Sequence, residues 1–162
     1  MELIIQKSVE LGVYDITPIE MKRCVVKLNE KEKQKKIQRW QKISEVAAKQ
    51  CRRNIIPKIN NVTNIQNVCN LIQDYDIVLV AYENERENTL RNEIEILKNN
   101  LQNKDEDIKI AVLIGPEGGL EEKDVELMEQ NNAKIITLGN RILRTETVAL
   151  NILSILIYEL GK

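Results

Sequence analysis

Two segments of this chain concentrate the residue types that do chemistry. Gly115-Pro116-Glu117-Gly118-Gly119-Leu120 follows the apolar run Ile110-Ala111-Val112-Leu113-Ile114. Leu138-Gly139-Asn140-Arg141-Ile142-Leu143-Arg144-Thr145-Glu146-Thr147 completes a second apolar run that starts at Lys134. The first segment is a main-chain device: glycine permits positive φ and close backbone approach, proline stiffens the turn, and amides at a following helix start can face a ligand. It has neither the Gly-Lys-Ser/Thr ending of a Walker loop nor the GxGxxG spacing of a dinucleotide site. A plain strand–helix turn is the rival explanation. The second segment works through side chains. Two arginines three residues apart beside a carboxylate suit an anion or a developing negative charge. They also suit a capping segment in which Thr145 or Thr147 caps a helix, Glu146 favours its positive end, and an Arg–Glu pair forms locally.

What the chain omits narrows the chemistry further. Among its 162 residues there is no histidine, which removes Ser-His and Cys-His nucleophilic schemes, histidine bases and most zinc sites. No metal is expected. Cys24, Cys51 and Cys69 are widely spaced and odd in number, so reduced thiols are expected rather than disulfides. With 43% hydrophobic and 30% charged residues the composition is that of an ordinary soluble domain. The apolar stretches are short or interrupted, and the first ten residues carry neither a basic n-region nor a cleavage site, so no membrane span and a cytoplasmic setting are expected.

The net charge of −1 conceals an asymmetry. Lys22 to Lys58 holds 13 Lys or Arg against 3 Asp or Glu, and the rest of the chain 11 against 22. A basic patch on a nearly neutral protein points to a polyanionic partner met by one surface.

The elements that must position these residues read as an α/β chain. Leu3, Ile4, Val9 and Leu11 predict a helix stopped at Gly12. Val13 to Ile19 reads as a strand, weakened at Pro18. Glu30 to Arg53 predicts a long helix with a core stripe (Ile37, Trp40, Ala47, Ala48, Cys51) and a basic back (Lys35, Arg39, Lys42, Lys49, Arg53). A short helix over Asn64 to Ile72, opened by Thr63, precedes a strand over Asp76–Tyr82 whose continuous apolarity fits burial on both sheet faces. Helices over Asn88–Asn103, Glu121–Gln130 and Thr147–Leu160 alternate with strands over 110–114 and 134–138. Alternation of this kind predicts a mostly parallel sheet flanked by helices, in one domain over residues 1–162. The final helix is apolar nearly all round, which calls for enclosure by the domain or by a second copy, and a homodimer is expected.

With these motifs in place, the chain closely resembles the catalytic domain of the bacterial 16S ribosomal RNA uridine-N3 methyltransferases, a family of the SPOUT superfamily. The resemblance rests on GPEGGL followed by LGNRILRTET and an apolar helix. It is joined upstream by Ile5-Gln6-Lys7-Ser8-Val9-Glu10-Leu11-Gly12-Val13, by Arg39-Trp40-Gln41-Lys42-Ile43 and by Ala47-Ala48-Lys49-Gln50. It covers essentially the whole chain.

The resemblance implies a C-terminal trefoil knot, rare among proteins, a homodimer with sites near the interface, and S-adenosylmethionine as methyl donor. Donor-binding positions carried over are Tyr82 and Glu83; Ile114, Gly115, Pro116, Glu117, Gly118 and Gly119; and Leu138, Gly139, Arg141, Ile142, Leu143 and Thr147. Family members carry an N-terminal PUA-like RNA-binding domain, so this chain looks like the catalytic domain alone. It also departs from the pattern at Cys51 and Arg52, where small residues are usual.

Uridine N3 methylation needs loss of the N3 proton and support for charge spreading to the uracil oxygens. Arg144 is assigned that support, with Glu146 orienting it or assisting proton removal. Arg23, Lys35, Arg39, Lys42 and Arg53 are assigned to phosphates of ribosomal RNA in the small subunit. The rival expectations are a SPOUT enzyme acting on transfer RNA ribose or another base, and a non-catalytic RNA-binding ribosome-assembly module.

Overall fold

The computed structural model describes residues 1–23, 28–101 and 107–161. Its centre is a three-stranded parallel sheet of β3 (Ile77–Ala81), β4 (Ile110–Ile114) and β5 (Lys134–Ile136), in the order β4-β3-β5. The middle strand is the apolar run of the sequence, and its alternation divides the core. Val78 and Val80 point into a cluster with Ile65 and Cys69 of α3 (Ile65–Leu71) and with Val125 and Met128 of α5 (Glu122–Gln130). Leu79 points the other way, into a cluster with Ile94 of α4 (Leu90–Leu101) and Ile152 and Leu156 of α6 (Thr145–Leu160). Helices therefore cover both faces, as crossover connections between parallel strands require.

A second layer lies ahead of the sheet. α1 (Glu2–Glu10) packs on α2 (Glu30–Gln50) through Ile5, Val9, Trp40, Ala47 and Ala48. Asn29 and Glu32 form a capping box that starts α2, each side chain accepting from the other's backbone N–H at 3.0 and 2.9 Å. Two short strands, β1 (Asp15–Ile16) and β2 (Lys58–Ile59), pair in parallel beside these helices. α1 also lies against α6, where Gly12 (φ +90°) admits the Ile157 side chain.

Several expected boundaries move. The strand expected over Val13–Ile19 forms a ladder only at Asp15–Ile16, with a further bridge from Ile19 to Thr63. Pro18, which lacks an N–H, interrupts it. The helix expected to reach Arg53 ends at Gln50, and Arg52 takes φ +59°. Asn64, not Thr63, caps α3 by accepting from Asn67 N–H at 2.9 Å. The final helix begins at Thr145 with Arg144 as cap, and no side chain caps it. Neither Thr145 nor Thr147 does so. Asn103, the expected end of α4, and Cys24 lie outside the described residues. Cys51 and Cys69 are free thiols. No helix among the described residues is long and apolar enough to cross a membrane.

Candidate active site

Parallel pairing fixes where the two motifs meet. β3 pairs with β4 and β5 so that Ala81 lies level with both Ile114 and Ile136. All three strands run the same way, so the segments that follow them leave one edge side by side, the edge at which open parallel sheets bind ligands. The sequence places two loops there. The family resemblance places a third at Tyr82-Glu83, and the structure extends it from Tyr82 to Thr89.

That third loop is fastened by residues the sequence reading passed over. One carboxylate oxygen of Glu85 accepts the backbone N–H groups of Arg86, Glu87 and Asn88 at 2.9, 2.7 and 3.0 Å, and these bonds hold its carboxyl below the ordinary value. Asn88 then joins the loop to β5. Its side-chain amide donates to the Ile135 carbonyl at 2.9 Å and to buried Glu93 at 2.8 Å, while its own carbonyl accepts from Thr137 N–H at 2.8 Å. The available signal was Asn88-Thr89 just ahead of an amphipathic helix, a turn-and-cap pattern. Tyr82 is half-buried toward the cluster of α3 and α5 and accepts a hydrogen bond from Asn84.

The GPEGG segment is a tight turn, Gly119 N–H donating to the Pro116 carbonyl at 2.8 Å. Beneath it, Leu120 is buried against Gly115. The paired glycines are required by what stands next to them. A Cβ on Gly118 would meet Cβ and the carbonyl oxygen of Arg23 at 3.1 Å. One on Gly119, whose φ is +74°, would collide with the Glu83 carboxylate. Arg23 donates to the Gly118 and Leu120 carbonyls at 3.2 and 3.3 Å. The loop is thus held between Arg23 on its carbonyl side and Glu83. Lys123, then Lys22 and Arg23, hold the Glu121 carboxyl below its ordinary value where the turn enters α5.

The third segment leaves β5 through Thr137, whose hydroxyl accepts from Gly139 N–H at 3.2 Å. Gly139 has φ +103°, and a Cβ there would meet nothing within 4 Å, so that backbone borders open space. The Thr145 hydroxyl donates to the Gly115 carbonyl at 3.4 Å and bridges the two motifs. Leu138 and Leu143 are half-buried, but Ile142 is 87% exposed and forms no apolar wall within one chain. Arg141 and Thr147 are exposed, as is Glu117, whereas Ile114 and Pro116 are half-buried. Arg144 is exposed and Glu146 half-buried, and neither side chain bonds to another described residue. The local Arg–Glu pair does not form.

The residues assigned to phosphates divide. Lys35, Arg39 and Lys42 lie exposed on α2. Arg53 does not present a free guanidinium: it donates to the carbonyls of Val9, Val13 and Gly12 at 3.0, 2.8 and 3.4 Å. A cation at a helix C-terminus satisfies carbonyls left over by the helix, and here it shares the Val9 carbonyl with Gly12 N–H, which donates to it at 3.1 Å. Arg23, as described, serves the glycine turn. Among the described residues, no cluster of His, Cys, Asp and Glu is arranged to hold a metal.

Comparison with known proteins finds the relatives of this chain among RNA methyltransferases. The RNA methyltransferase domain family matches residues 1–157. Ribosomal RNA small subunit methyltransferase E of Bacillus subtilis is 38% identical over 159 residues, 98% of this chain and 61% of that protein. A methyltransferase from Legionella pneumophila, solved with bound S-adenosylmethionine, superposes with a TM-score of 0.81 at 31% identity, covering 98% of this chain and 60% of that one. Ribosomal RNA small subunit methyltransferase E from Neisseria gonorrhoeae, bound to S-adenosyl methionine, gives a TM-score of 0.81 at 29% identity over the same shares. The chain spans about three fifths of the length of these relatives.

Proposed function

The chain belongs to the RNA methyltransferase domain family, and on that premise we propose that it methylates N3 of a uridine in 16S ribosomal RNA, with S-adenosylmethionine as donor. The observation that carries this reading is the convergence of three loops, after β3, β4 and β5, on one edge of a parallel sheet. Relatives named for the small-subunit ribosomal RNA support the substrate class, and those crystallised with the donor support the cofactor.

The residues present fit the donor. Adenosine needs flat apolar contact plus main-chain donors and acceptors. Half-buried Ile114, Leu138 and Leu143 supply the first, and the backbone at Glu117–Gly118 and at Gly139, exposed at these positions, supplies the second. When bound, the donor supplies an electrophilic methyl group on a positive sulfonium. The chain's own part is positioning, water exclusion and charge support, where proximity contributes much of the acceleration. Arg144, a guanidinium with no partner among the described residues, is positioned to meet negative charge spreading over the uracil oxygens. An arginine stays protonated and does not act as the base. Glu146, in the first turn of α6 and without a bond to Arg144, is the group that accepts the N3 proton.

The same reading takes residues 1–162 as one methyltransferase unit with a C-terminal trefoil knot, cytoplasmic and dimeric. Its dimer surface is α6, where Tyr158 is 86% exposed and Ile157 partly so. Calorimetry with S-adenosylmethionine tests the donor site: heat of binding is expected, and its absence overturns the reading. A base-resolved methylation map of ribosomal RNA from a deletion strain tests the target. Loss of one N3-methyluridine from 16S RNA is expected, and loss of a transfer RNA mark instead overturns it.

A further inference from the structure

Away from the three loops, α1 and α2 border an open groove of about 690 Å³. Its rim carries Lys35, Arg39 and Lys42 from α2, and among the described residues the only carboxylate lining it is Glu2 of α1. Glu2 grips Arg39 with both oxygens, Oε1 to Nε at 2.7 Å and Oε2 to Nη2 at 3.0 Å. This two-pronged geometry is the one a phosphate takes on a guanidinium. Lys35 and Lys42 make no ion pair with a described residue.

We propose that this groove is a phosphate track for RNA, in which a backbone phosphate replaces Glu2 on Arg39 and its neighbours settle on Lys35 and Lys42. The inference rests on reading the chain as acting on RNA and adds to it a contact surface separate from the methyl-transfer edge. Three points carry it. Positions 35, 39 and 42 stand at i, i+4 and i+7, so the three cations share one helix face and span about 10 Å. One strand of a duplex presents roughly three phosphates over that length. The Glu2–Arg39 pair is largely exposed, so little free energy is lost on exchanging one anion for another. The floor, finally, is open rather than deep: Leu3 is 50% and Val46 68% exposed. It offers no enclosed pocket for the apolar anchor of a protein partner, while sugar edges can lie across it.

The test measures binding of a synthetic helix–loop fragment of 16S ribosomal RNA by fluorescence anisotropy over a salt series, with S-adenosylmethionine calorimetry on every variant. The triple variant Lys35→Gln/Arg39→Gln/Lys42→Gln is expected to weaken RNA binding at least tenfold. It should also flatten the salt dependence by about two to three phosphate contacts, each contributing a slope of roughly 0.7–0.9. Glu2→Gln frees Arg39 and is expected to tighten binding about two- to fivefold, the range an exposed pair commands. Glu126→Gln, an exposed carboxylate on α5, removes the same charge elsewhere and is expected to change little. Donor heat should be unaffected throughout. An unchanged salt slope in the triple variant, or equal effects of Glu2→Gln and Glu126→Gln, overturns the groove while leaving the methyltransferase reading intact. Loss of donor heat in the unmodified chain would strike that reading instead.

Discussion

At the scale of single residues, the arginines differ by what their guanidinium groups touch. Arg23 donates to two carbonyls of the glycine turn, so its loss should loosen the donor loop rather than RNA contact. Arg23→Ala is expected to raise KM for S-adenosylmethionine roughly three- to tenfold, as loss of charged hydrogen bonds to an exposed loop allows. The salt dependence of RNA binding should not move, and Arg23→Lys should recover part of the effect. Steady-state kinetics and a salt titration check the pair. Arg144 faces no described partner, and Arg144→Ala should lower kcat by about 10²–10³, the usual loss when one donor to a developing negative charge is removed. Donor affinity by calorimetry should hold. Normal turnover in that variant would remove Arg144 from the role assigned to it.

At the scale of elements, two fastenings make contrasting predictions. Arg53 satisfies three carbonyls where α1 ends and the chain turns through Gly12. Arg53→Ala leaves them without these donors and is expected to cost about 2 kcal/mol, read as a fall in urea midpoint with the slope unchanged. The loop after β3 instead depends on pH. The carboxyl of Glu85 is lowered by the N–H groups of Asn88, Glu87 and Arg86. A carboxylate with a depressed folded-state value contributes stability above its unfolded value and loses it as pH falls through the folded one. The contribution is therefore complete at neutral pH and disappears only in acid. Glu85→Gln should lower the midpoint at neutral pH and shrink the difference between neutral and acid midpoints. Equal acid sensitivity in the variant and the wild type would show that another carboxylate governs that limb.

At the scale of the whole molecule, α6 joins the two layers and is not fully covered. Its Ala149, Ile152 and Leu156 are buried, the last two in a cluster with Leu79 and Ile136 of the sheet, Lys98 of α4 pairs with Glu159, and Gly12, just past α1, lies against Ile157. Tyr158 and part of Ile157 face outward. Apolar surface of that kind is commonly closed by a second copy. Sedimentation equilibrium is expected to give a dimer, and Tyr158→Asp is expected to shift it toward monomer. A wild-type monomer at micromolar concentration would count against the dimer.

The alternation of apolar runs and amphipathic helices was enough to predict a parallel α/β sheet, because burial on both faces leaves the unbroken signature of Val78-Leu79-Val80. Glycine spacing and the RILRTET segment marked two of the three loops for the same reason: local backbone demands are written in local residue types. Other features were decided by tertiary structure alone. The loop after β3 reaches the site only because β3 lies between β4 and β5, a strand order that no local pattern encodes. Arg23 and Arg53 look like surface cations in a basic stretch, yet long-range packing sets one against Gly118 and the other under α1. A guanidinium's partner is fixed by which carbonyls the fold leaves within its reach, and that depends on contacts made far away along the chain.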